Sequence, residues 1–198
     1  MPFIPYLTFP ASIFSSPTLS TLLPLVLGFG PGFIIESSSK DKKNGFAAIE
    51  ARFNALRKPP LSPPGWIFPI VWALLYPSMG YAAHRAWTTG MASANPSVHD
   101  ITQRGATLYT LQIAVNMCFT PLYFGLGKPV AGFIDIATLT GMVYYLAYLW
   151  KEVDSTATYL LIPYMAWLSF ATYLCAGQGY MNGWNFEKGG KREEGKAE

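Results

Sequence analysis

Between Lys58 and Arg85 the chain carries no lysine, arginine, aspartate or glutamate, and this gap, KPPLSPPGWIFPIVWALLYPSMGYAAHR, constrains its fold more than any other feature. About 20 apolar residues, each rising about 1.5 Å, cross a hydrocarbon core of roughly 30 Å. The stretch from Trp66 to Trp87 meets that requirement. Charge-free windows also run over 1–35, 105–127 and 155–186, and 129–150 holds only Asp135. Charged residues make up 13% of the chain, against about 25% in an ordinary soluble domain. The pattern predicts an all-α integral membrane protein, a bundle of five transmembrane helices over Leu19–Ile35, Trp66–Trp87, Gly105–Leu126, Pro129–Trp150 and Ala157–Met181.

An odd number of spans puts the two termini on opposite faces. One face then collects Lys40, Lys42, Lys43, Arg52, Arg57, Lys58, Lys128, Lys188, Lys191, Arg192 and Lys196, and the other Arg85, Arg104 and Lys151. Eleven basic residues against three place the first loop and the C-terminus in the cytosol. The net charge of +3 is thus a topology signal and gives no ground for a nucleic-acid partner. Residues 1–18 lack the basic region of a secretory signal and the arginines of a matrix-targeting peptide, and four prolines argue against a helix there. The expectation is an irregular N-terminal arm over 1–18, a transmembrane domain over 19–183 and a polar, disordered tail over 184–198.

Cys118 and Cys175 have no metal-binding or redox spacing around them and read as buried free thiols. No metal site is implied. The GFGPG run, Gly28 to Gly32, follows no strand, so it is small-residue helix packing and not a dinucleotide loop. No hydrolase motif is present. Ser62 followed by Pro63 reads as an N-cap and first position opening the second helix. Interior prolines such as Pro77 and Pro163 bend their helices, which either encloses a cavity or leaves an ordinary packed bundle.

Trp72 and Tyr76 lie four apart on one helix face, and Trp167, Ala171 and Leu174 repeat the arrangement on the last helix. Both tryptophans lie too deep to reach the headgroups, so each indole N–H needs an acceptor. Either they wall a pocket or they are core residues bonded to proline-freed carbonyls. Asn116, with Gln112 one turn earlier on the same face, is a carboxamide in mid-span: a polar anchor for a ligand, or glue between helices. Asp135, near the start of the fourth span, is explained by the helix dipole.

The spacing of Lys58, Pro59, Pro63, Pro64, Val71, Trp72, Leu75, Tyr76, Met79, Gly80, Tyr81 and Ala82 resembles the second-helix signature of the TspO/MBR family, the tryptophan-rich sensory and translocator proteins. LQIAVN with PLYFG (Leu111 to Asn116, Pro121 to Gly125) and LLIPYMAWLSFATYL (Leu160 to Leu174) follow in the family's order. The resemblance implies a five-span protein whose long first loop covers the mouth of a cavity for a porphyrin such as protoporphyrin IX, or for a sterol. It implies that Trp72, Tyr76, Trp167, Ala171 and Leu174 line the cavity and that Asn116 faces the ligand. The tetrapyrrole would be a ligand, not a cofactor. The resemblance also implies the lipid bilayer and a homodimer as partners, and residence in the mitochondrial outer membrane rather than the endomembrane system. A second activity it suggests is light- and oxygen-dependent porphyrin degradation using Trp72 and Trp167. Departures are Arg52-Phe53 and Leu61 for aromatic residues, Cys175-Ala176 after Leu174, and Thr107 and Leu111 for the glycine spacing linked to dimer contacts. A sterol-type pattern appears instead at Leu146, Tyr148 and Lys151.

Overall fold

The computed structural model describes residues 2–38, 54 and 56–186, and among these every regular element is helical. A 3-10 turn, Pro5–Leu7, precedes α1 (Ala11–Ser15), α2 (Pro17–Ser38), α3 (Ile67–Met91), α4 (Pro96–Thr120), a π-helical turn (Pro121–Gly125), α5 (Pro129–Lys151) and α6 (Ser155–Met181). Most of the expected first-loop cover and the tail from residue 187 lie outside the described residues.

Local signals explain the helix starts. Asn95 accepts from the Ser97 amide at 3.0 Å with Pro96 at the first position, so α4 begins more than two turns before the expected Gly105. The charges at Asp100 and Arg104 mark where an apolar span ends, but they do not stop a helix. At α3 the expected cap fails: the Ser62 hydroxyl donates to the Pro59 carbonyl at 2.8 Å, and the helix opens at Ile67. Pro121 has no N–H to give the preceding turn, and the chain widens there, with Leu126 N–H donating to Pro121 O at 2.8 Å. That turn aims Tyr123 into the bundle, where it is 3% exposed.

α3 packs against α2, α4 and α6, and α5 closes the bundle against α4 and α6. Glycines permit the closest approaches: Gly80 of α3 lies on the Ser20 carbonyl of α2, and Gly105 of α4 lies under the Trp150 indole. The core includes Met79, Leu139, Val143, Leu161, Leu168 and Trp150, together with the polar Thr107, Gln112, Asn116 and Gln178. The exterior carries Leu22, Val26, Leu74, Ile134, Tyr148 and Ile162, each about half exposed or more. Around this mainly apolar core, the broad apolar exterior is the surface that hydrocarbon would meet. α5 and α6 are each long and apolar enough to cross a membrane.

The arm is more ordered than its prolines suggested. The Ile4 and Phe9 amides donate to the Thr107 and Thr110 hydroxyls at 3.2 and 3.0 Å, and Phe14 is buried against Trp87 with ring centroids 5.2 Å apart. His84 Nδ1 donates to the Phe14 carbonyl at 2.8 Å, since a carbonyl can only accept. At the other end the packed domain extends past 183: Trp184 lies over Gly179 and edge-on to Phe133, and Phe186 is edge-on to Tyr123.

Candidate functional site

Trp72 and Tyr76, one turn apart on α3, stack with centroids 4.9 Å apart, and Trp72 meets the Tyr164 ring of α6 edge-on at 6.0 Å. Gly28 of α2 leaves the space the Tyr76 ring occupies, and Phe29 closes over that ring edge-on at 5.7 Å. From this aromatic cluster a chain of hydrogen bonds runs inward. Tyr76 donates to Asn116 Oδ1 at 3.1 Å, Asn116 Nδ2 donates to the Tyr164 hydroxyl at 3.2 Å, and Tyr164 donates to Gln112 Oε1 at 2.9 Å. Buried polar groups persist in an apolar interior only when paired in this way. Gln112 Nε2 and the Tyr109 hydroxyl are exceptions, buried with no partner among the described residues.

Trp167 sits apart from the cluster, edge-on to Phe68 at 5.5 Å and tilted against Phe170 at 5.8 Å. It lines an apolar groove of about 420 Å³ between α3 and α6, with Val71, Leu74, Leu75, Pro163, Ala166 and Phe170. The acceptor its indole was expected to need is missing: Nε1 is buried with no partner among the described residues. Leaving such a donor unpaired costs about 1–3 kcal/mol.

Of the residues singled out from sequence, the structure thus joins Trp72, Tyr76 and Asn116 directly and Gln112 through Tyr164. Ala171 and Leu174 continue the Trp167 stripe along α6 but do not line the groove. Tyr164, 1% exposed and bonded to both carboxamides, is the hub that sequence reasoning missed. The available signal was a tyrosine hydroxyl deep in a charge-free span, which needs a partner as Asn116 does.

Two other expectations are corrected. Asp135 lies beyond the first turn of α5, outside the reach of the helix N-terminus, and its Oδ2 is buried without a partner among the described residues. Cys118 is exposed on the outer face of α4, whereas Cys175 is buried as expected. Near Cys175, Tyr123 donates to Gln178 Oε1 at 2.8 Å and ties the π-helical turn to α6.

Residues 20–181 match the model of the TspO/MBR family. The chain is 36% identical over 152 residues to the "Translocator protein homolog" of Schizosaccharomyces pombe, covering 76% of this chain and 85% of that one. It is 35% identical over 122 residues to the "Translocator protein" of Ovis aries, covering 62% of this chain and 69% of that one. It is 34% identical over 122 residues to the "Tryptophan-rich protein TspO" of Chlorobaculum tepidum, covering 62% of this chain and 73% of that one.

Proposed function

We propose a function from one premise: the chain belongs to the TspO/MBR family and is a membrane protein. On this reading α2 to α6 form five spans, and the bundle binds a flat polycyclic lipophile, a porphyrin such as protoporphyrin IX or a sterol, for translocation or sensing. The observation that carries the reading is the aromatic cluster of Trp72, Tyr76 and Tyr164 joined to the Asn116 carboxamide, with an apolar groove one helix face away. Large apolar area with a few fixed polar groups is what such a ligand requires. Trp72 and Trp167 would stack on it, Tyr76 and Asn116 would orient its polar group, and Ala171 and Leu174 would continue the Trp167 wall along α6.

Titration of the purified chain with protoporphyrin and with sterol tests this. Porphyrin should quench a substantial part of the emission of the six tryptophans. Trp72→Phe and Trp167→Phe should each remove part of that quench. Unchanged affinity and quenching in the double variant would put the ligand elsewhere.

The basic-residue bias further supports a cytosolic C-terminus, and the family resemblance supports a place in the mitochondrial outer membrane. Protease added to intact organelles should then remove a tag placed after Glu198 and spare one at the N-terminus. The opposite protection pattern would reverse the orientation.

A further inference from the structure

The hydrogen-bond chain that starts at Tyr76 has a direction, and its far end is incomplete. Every proton in it is donated away from the Trp72 cluster, from Tyr76 through Asn116 and Tyr164 to Gln112 Oε1. All four side chains are at least nine-tenths buried. Gln112 Nε2, at the end of the chain, has no acceptor among the described residues. A buried N–H left without a partner is the costlier orphan, whereas a carbonyl oxygen with spare lone pairs is tolerated more often.

Half-turns of the Gln112 and Asn116 carboxamides exchange oxygen for nitrogen at nearly the same positions. Donation then runs the other way, from Gln112 Nε2 to the Tyr164 oxygen, from Tyr164 to Asn116 Oδ1, and from Asn116 Nδ2 to the Tyr76 oxygen. The same three bonds survive, Gln112 is left with an unmatched carbonyl oxygen, and the unmatched donor moves to the Tyr76 hydroxyl. At the cluster end the consequence is chemical. In the first direction the Tyr76 proton is engaged and its oxygen can only accept from a newcomer; in the second that proton is free to be donated.

We infer that Gln112 and Tyr164 make the chain reversible, so that the site receives a polycyclic lipophile through either a donor, such as a hydroxyl, or an acceptor, such as a ketone. This rests on the binding function proposed above and adds two positioning residues that set ligand preference without touching the ligand. Gln112→Met removes the terminal acceptor and leaves the Tyr164 proton only Asn116 Oδ1 to meet. That locks the second direction and favours acceptor ligands. Tyr164→Phe cuts the chain, after which Gln112 has no influence.

The test is the affinity of the full chain in detergent for cholesterol and for its 3-keto analogue. Relative to wild type, Gln112→Met should raise the ketone-to-alcohol affinity ratio about five- to tenfold, the scale of one hydrogen bond gained or lost. Adding Gln112→Met to Tyr164→Phe should leave the ratio of the single Tyr164→Phe variant unchanged. A purely structural role would weaken both sterols together, so an unmoved ratio in Gln112→Met, or a further shift in the double variant, overturns the inference. Should Gln112→Met not fold, the wild type suffices. The Gln112 side-chain amide resonance should differ between the alcohol and ketone complexes, and identical spectra overturn the inference. A wild type that binds neither sterol removes the inference as well, while the porphyrin titration still decides the binding function separately.

Discussion

Replacing Asp154 with alanine is expected to destabilise the solubilised chain by about 2–4 kcal/mol, because one carboxylate serves as both a helix cap and half of an ion pair. Its Oδ1 accepts from the Thr156 and Ala157 amides at 2.8 and 3.4 Å and so caps α6. Its Oδ2 accepts from Arg85 Nε and Nη2, both at 2.9 Å, and from the Thr89 hydroxyl at 3.2 Å, which ties the end of α3 to the start of α6. Losing a cap costs about 0.5–2 kcal/mol, and losing hydrogen bonds to a charge about 1.5–3. The upper end of their sum, about 5 kcal/mol, comes down to about 4, since the Arg85 side chain is 36% exposed and water can replace its partner.

Asparagine caps as well as aspartate, so Asp154→Asn should lose less than the alanine variant by the cap's share, about 0.5–2 kcal/mol. The two variants also separate by pH. Burial pushes the Asp154 carboxyl up, but the Thr156 and Ala157 amides and the Arg85 guanidinium outweigh it and hold the carboxyl below its ordinary value. A group depressed by folding stabilises fully above its unfolded pKa of about 3.9, and that contribution is lost as pH falls through the folded value. The difference in melting temperature between wild type and Asp154→Asn should therefore be constant near neutrality and shrink below about pH 4. A difference that persists at lower pH would show that the carboxylate charge is not what holds the two helices.

What the sequence revealed, and what it concealed, follows from the range of each interaction. Trp72 with Tyr76 is a one-turn relation on a single helix, and Asn116 stands out as a carboxamide in a charge-free run, so both were readable in one dimension. Tyr164 is one of twelve tyrosines, and nothing local signals that its hydroxyl meets carboxamides 48 and 52 residues away. Hydropathy located where α4 is apolar but missed where it starts, because Asn95 and Pro96 cap the helix in a polar stretch. Ser62 was misread for the opposite reason: a capping residue type was present, but its hydroxyl was taken by the nearby Pro59 carbonyl, and Leu61 adopts a φ of 64° between them. The broad placement of the membrane helices rests on transfer free energies summed over many residues, whereas their ends depend on single hydrogen bonds.

Gly28→Val should damage the site most, although Gly28 contributes no polar atom to it. A Cβ at this position would overlap the far edge of the Tyr76 ring, the edge that carries the hydroxyl donated to Asn116. The ring has little freedom to yield, stacked on Trp72 at 4.9 Å and covered by Phe29 at 5.7 Å. Either Tyr76 turns away and loses both its stack and its 3.1 Å hydrogen bond, or α2 withdraws from α3 and opens the seam where Gly80 rests on the Ser20 carbonyl. Overpacking of this kind costs about 1–3 kcal/mol of stability. Porphyrin affinity should fall at least about tenfold, equivalent to about 1.4 kcal/mol. Gly30→Val is the control for backbone cost, since nothing lies within 4 Å of a Cβ there; because it precedes Pro31, its backbone penalty is an upper bound on that of Gly28→Val. A smaller side chain at position 76 should restore the melting temperature of Gly28→Val but not its affinity, because packing is relieved while the hydroxyl remains absent. If Gly28→Val binds porphyrin as the wild type does, the ligand does not rest on Tyr76.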